Sequence, residues 1–135
     1  MATDLEKLLV RAVLDRLPGC IAIYRFGSWG TEAERPDSDL DIAILADQRL
    51  APVRRWELAQ TLASLARRDV DLVDLLCAST VLRIQVVAYG ELLYSNGSSY
   101  VEQFEDTVFS SYARLNEERR DILTDVLHRG SVYGK

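Results

Sequence analysis

The sequence of 135 residues has few of the side chains that build soft-metal sites or disulfide frameworks, with only two cysteines, one histidine and one methionine. Cys20 and Cys77 both sit among apolar neighbours (CIAIY and LLCA), so buried, reduced thiols are expected. A zinc site of sulfur and imidazole lacks its ligands, and any bound metal must take oxygen donors. No apolar run approaches the roughly 20 residues that span a bilayer. The opening MATDLEKLLVRAVLDRL mixes acids with bases and lacks the basic flank, apolar run and small-residue site of a signal peptide. A cytoplasmic protein without membrane contact is the expectation. Positive charge is scarce too: 16 Lys and Arg stand against 21 Asp and Glu, a net charge of −5. That balance argues against direct binding to a nucleic-acid backbone.

What is present suits one domain spanning residues 1–135, with enough apolar content for a single core. Leu5, Leu8, Leu9, Val13 and Leu17 recur at helical spacing, and Pro18 and Gly19 end that helix. CIAIYRF (20–26) and DLDIAIL (39–45) read as strands, joined by a turn and a loop at residues 35–38. A helix over 52–68 opens at Pro52 and carries Val53, Trp56, Leu58, Leu62 and Leu65 as its apolar stripe. DVDLVDLL (69–76) alternates as a strand, a short helix follows over 79–88, and GELLYS forms a turn and an edge strand. From about 98 to 127 the spacing of Phe104, Val108, Tyr112, Leu115, Ile122 and Leu123 predicts a long helix or helix pair. Interleaved helices and strands place the chain in the α/β or α+β class, with a sheet covered by helices.

The informative stretch is Gly27 and Ser28, ten residues, then Asp39, Leu40 and Asp41. Alternation turns both aspartates to one face, about 7 Å apart, and Leu40 and Ile42 to the core. Paired carboxylates repel unless a cation lies between them, and oxygen-only ligands suit Mg²⁺, which completes its shell with water and phosphates. Glycine admits close approach of a ligand to the backbone, and Ser28 adds a hydroxyl donor. Together the two motifs describe a phosphate cradle facing a metal platform. A third acid would come from Asp69, Asp71 or Asp74, with Asp71, flanked by Val70 and Leu72, preferred over Asp74.

These motifs resemble the polymerase-β nucleotidyltransferase superfamily, and the small size with VDLVDLL and GELLYS resembles its minimal nucleotidyltransferase (MNT) branch. The resemblance implies that fold, with ATP as substrate and Mg²⁺ as cofactor. Gly27 and Ser28 would contact the phosphates; Asp39, Asp41 and Asp71 would be both metal ligands and catalytic residues. It also implies a partner. Members of the branch act as antitoxins that transfer AMP to a tyrosine of a HEPN-domain ribonuclease toxin, which would make a hetero-oligomer with the toxin. Neutralisation by occlusion, and transfer to a small molecule, are the competing readings. One departure stands out: the turn reads Trp29, Gly30, Thr31, Glu32 where relatives are often basic. Arg25 and Arg35 are then candidates to meet the triphosphate, and Trp29 either stacks on a base or caps the core. The paired arginines at 54–55, 67–68 and 119–120 read as solvated helix faces, His128 as a surface residue, and Tyr94 and Tyr112 as packing residues.

Overall fold

The computed structural model describes residues 3–128. In chain order it contains α1 (Asp4–Arg16), β1 (Cys20–Phe26), β2 (Leu40–Ala46), α2 (Pro52–Ala66), β3 (Val70–Asp74), α3 (Thr80–Tyr89), β4 (Glu91–Ser95) and α4 (Tyr100–His128). The four strands form one mixed sheet in the order β3, β2, β1, β4. β1 runs antiparallel to both β2 and β4, whereas β2 and β3 are parallel, joined by the crossover through α2. The last segment is one helix of 29 residues rather than a pair. The side chains of Ile122, Leu123 and His128 lie outside those described.

Strand alternation divides the core in two. Leu40, Ile42, Ile44 and Leu72 pack with Leu9 and Val13 of α1 and Leu58 and Leu62 of α2. One step out of phase, Tyr24, Ala43 and Leu45 pack with Ile84 and Val86 of α3 and Val101, Phe104 and Val108 of α4. Helices therefore cover both faces of the sheet. α1 starts with a capping box: the Thr3 hydroxyl accepts from the Glu6 amide (3.1 Å), and Glu6 Oε1 accepts from the Thr3 amide (2.7 Å). Among the described residues no helix is long and apolar enough to cross a membrane.

Several expectations change. Trp56 is 63% exposed, and Val53 and Leu65 also face outward, leaving Leu58 and Leu62 as the buried positions of α2. At about 100° per residue, Trp56 is turned some 200° from Leu58, onto the opposite side of the helix. Cys77 is exposed and only Cys20 is buried; desolvation pushes the Cys20 thiol up to about 11. The arginine pairs are not simply solvated. Arg54 donates to the Arg16 carbonyl (2.6 Å) and Arg55 to the Leu72 carbonyl (3.1 Å), tying α2 to α1 and β3.

Asp74 is 4% exposed on the α1 and α2 side of the sheet. Its Oδ2 accepts from the Leu50 amide (2.8 Å) and its Oδ1 from the Leu76 amide (3.0 Å), so it fixes both chain segments leaving the sheet. Asp74→Ala should lower unfolding free energy by about 2–3 kcal/mol, since two partly buried amides lose their acceptor and a buried side chain is removed. Denaturant unfolding measures it, and a loss below about 0.5 kcal/mol, the scale of an ordinary surface substitution, would contradict the structural assignment.

Candidate active site

Three strand ends meet at one edge of the molecule: the end of β1 and the starts of β2 and β3. The antiparallel register sets Phe26 opposite Asp41, and the parallel register sets Asp41 beside Asp71. Both carboxylates lie on the face covered farther along by α3 and α4, because Leu40, Ile42 and Leu72 take the other face. Asp39 has the same parity but precedes β2 by one residue, and it is exposed. The structure thus brings Asp39, Asp41 and Asp71 to one end of the sheet. Asp74, with its side chain committed to amides on the opposite face, stands apart from them.

Gly27 closes the group. It has φ +69°, and a Cβ built there would lie 2.0 Å from Asp41 Oδ2. The turn therefore packs directly on the carboxylate, an approach open only to glycine. Asp41 is half-buried, and its pKa is pushed up to about 6, first by desolvation and then by the charges of Asp71 and Asp39. A half-buried carboxylate beside two other acids is one whose charged form a cation would stabilise. That chemistry fits Mg²⁺, which needs one or two protein carboxylates and takes its other ligands from water and phosphate. Among the described residues no three acid, histidine or cysteine side chains are grouped so as to hold a metal ion by themselves, and a hard cation sharing its shell with a substrate needs only one or two protein carboxylates.

The Gly27 and Ser28 turn is held by Arg25, on the opposite face of β1. Arg25 Nη1 donates to the Trp29 carbonyl (3.0 Å), its Nη2 binds Glu91, and its Nε faces Glu6 Oε2 at 2.9 Å as an ion pair. That Nε contact lacks hydrogen-bond alignment. Gly30, at φ +81°, leaves room for the guanidinium, since a Cβ there would fall 1.1 Å from Nη1. Arg25 is consequently engaged by two acids, which leaves the exposed Arg35 as the remaining candidate of the two for the triphosphate. Trp29 is buried in the α1 and α2 core, so it caps the core. Sequence reasoning missed Arg68 and Glu34. Arg68 Nη1 binds Glu34 Oε2 (2.7 Å), and with the Gly30 amide it holds the Glu34 carboxyl below its usual range. Nothing in a two-arginine run after a helix signals that role.

Residues 10–99 match the family described as polymerase beta, nucleotidyltransferase. The chain belongs to this family. It is 42% identical over 132 residues to the protein adenylyltransferase MntA of Shewanella oneidensis, covering 93% of this chain and 94% of the relative. A chain in a crystal structure of a toxin–antitoxin with AMP-PNP superposes with a TM-score of 0.80 at 43% identity, covering 90% of this chain and 98% of that one. A chain in the structure of a tri-AMPylated Shewanella oneidensis HEPN toxin in complex with MNT antitoxin gives 0.76 at 42% identity, covering 91% and 96%. The fold expected from the resemblance is therefore the fold observed, and the chain is a nucleotidyltransferase.

The raised Asp41 makes folding depend on pH. Between about pH 4 and 6 the folded chain binds more protons at Asp41 than the unfolded chain does. Stability from this group is therefore present at the acid end, falls as pH rises through the window, and stays low above it. Without divalent cations, Asp41→Asn should be more stable than wild type at pH 7.5 by about 1 kcal/mol, after allowance for solvent screening. Urea midpoints at pH 4.5 and 7.5 in chelator measure this, and an identical pH dependence of both proteins would refute it. Gly27→Ala should cost about 1–3 kcal/mol, from the left-handed backbone and the clash with Asp41. A wild-type denaturation midpoint for that variant would show that the turn does not pack as described.

Proposed function

We propose that this protein transfers AMP from ATP, with Mg²⁺, to a tyrosine of a partner HEPN-domain ribonuclease toxin, and so acts as the toxin's antitoxin. The observation that carries this reading is the shared geometry of Asp41, which lies beside Asp71 and under Gly27. Its support from relatives is the 42% identity to an adenylyltransferase and the likeness to the antitoxin complex of a tri-AMPylated toxin. We place the reaction in the cytoplasm and in a domain comprising residues 1–135.

In this reading Gly27 and Ser28 hold the phosphates of ATP. Asp39, Asp41 and Asp71 hold Mg²⁺, which when bound neutralises the triphosphate and stabilises charge on the attacking and leaving oxygens. Asp71 takes the phenolic proton as the tyrosine oxygen bonds to the α-phosphorus. The bond to the bridging oxygen breaks, and pyrophosphate leaves. Orientation and neutralisation supply most of the rate, so a rigid strand pair suits the task.

Co-incubation of the chain with its HEPN toxin, ATP and Mg²⁺ should raise the toxin's intact mass by one AMP for each modified tyrosine. The toxin should stay inactive as a ribonuclease after separation. The double variant Asp39→Ala and Asp41→Ala should add no mass. Unchanged toxin mass with full recovery of ribonuclease activity on separation would favour neutralisation by occlusion and overturn the catalytic reading.

A further inference from the structure

Asp39 lies just outside the β2 ladder, so strand pairing does not fix it. Its peptide neighbours are instead tied to the corner between α2 and β3. On one side the Ser38 carbonyl accepts from Arg68 Nε (3.0 Å) and Nη2 (2.6 Å). On the other, the Leu40 amide donates to the Asp69 carbonyl (2.9 Å). Arg68 Nη2 also reaches the Arg35 carbonyl (3.0 Å), which accepts from the Ser38 amide (3.0 Å) and closes a four-residue turn with Pro36 at its second position. The Ser38 hydroxyl braces the same turn by accepting from the Arg35 amide (3.0 Å).

The third arm of the guanidinium runs the other way. Nη1 donates to Glu34 Oε2 (2.7 Å), and Glu34 Oε1 accepts from the Gly30 amide (2.8 Å). Gly30 lies two residues beyond Ser28, in the turn whose Trp29 carbonyl is held by Arg25. One side chain therefore links the phosphate turn to the segment that delivers Asp39. Its aim is set by an uncommon backbone. Arg67, the cap of α2, adopts φ +56°, and it is the one non-glycine residue with positive φ among the described residues. A left-handed residue is a common way to end a helix, and here it turns the chain so that the next residue, Arg68, leaves α2 toward the loop.

We propose that Arg68 is a positioning residue for the nucleotidyl-transfer site. Its planar fork on Ser38, Arg35 and Glu34 aims the Asp39 carboxylate toward Asp41 and couples that aim to the phosphate turn. Lysine cannot substitute, because a single ammonium does not span three acceptors held in a plane. The link from Asp39 to Mg²⁺ rests on the function proposed above, whereas the hold on the loop does not.

The test compares wild type with Arg68→Lys, Arg68→Ala and Glu34→Gln, by amide hydrogen exchange without metal and by the Mg²⁺ concentration that half-saturates ATP binding. Faster exchange at Gly30, Ser38 and Leu40 is expected in both Arg68 variants. Their Mg²⁺ requirement should rise about tenfold, the scale seen when groups that orient metal ligands are removed. Glu34→Gln should loosen Gly30 and leave Ser38 protected. Leu62→Val, a buried change in α2 that lowers the melting temperature without touching the loop, should leave the Mg²⁺ requirement as in wild type. Unchanged loop exchange in folded Arg68→Lys would overturn the proposal, as would a tenfold rise in Leu62→Val. Wild-type protein that binds ATP equally well with and without Mg²⁺ would overturn the metal reading of Asp39, and the exchange data would still decide the hold on the loop.

Discussion

Main-chain hydrogen bonds between β2 and β3 hold Asp41 directly beside Asp71, and the rest of the molecule is organised around the electrostatic cost of that pairing. Two carboxylates in adjacent strands repel, and partial burial of Asp41 removes the water that would screen them. The strands cannot part to relieve this. Ile42, Ile44 and Leu72, each almost fully buried, anchor the same strands in the α1 and α2 core. At roughly 1.5–3 kcal/mol for each fully buried aliphatic side chain, the core outweighs the repulsion. A rigid sheet edge crowded with carboxylates is the result, and such an edge suits a hard divalent cation.

Two arginines govern the loop that completes the edge, and both are paired with acids. Arg25 is spent on Glu6, Glu91 and the Trp29 carbonyl, Arg68 on Glu34 and two backbone carbonyls. The two grip the segment from Gly27 to Asp39 from opposite ends. Glu6 shows how such a grip is built: one carboxylate caps α1 through its Oε1 and faces Arg25 through its Oε2. The first helix is thereby coupled to the turn at Gly27 and Ser28. Because their charge is matched by acids, these arginines shape the backbone and leave little net positive potential for a substrate.

Alternation and spacing made much of this legible. The faces within each strand follow from period two, so the shared face of Asp39 and Asp41 could be read directly, and so could the buried Leu40 and Ile42. The edge position of β4 also emerged as expected. Helix phase was harder. On α2, the outward pair Val53 and Trp56 and the inward pair Leu58 and Leu62 each look like an apolar stripe in a linear string, and only contact with the sheet selects one. The flanking residues favour Asp71 over Asp74 as the third acid, with Asp74 left as the alternative. Their separation comes from the amides of Leu50 and Leu76, which arrive at Asp74 from elsewhere in the chain.

By itself the sequence determined the strands, their inward residues and the spacing of glycine, serine and aspartates, because these depend on the local geometry of a few consecutive residues. The tertiary structure alone decided which strands are neighbours, and so that Asp71 joins Asp41 across a parallel ladder. It also decided that Arg25 and Arg68 brace the loop rather than face solvent or substrate. An arginine's reach spans several residues in any direction, so its partner is set by what folding brings near it and is not encoded in its neighbours along the chain.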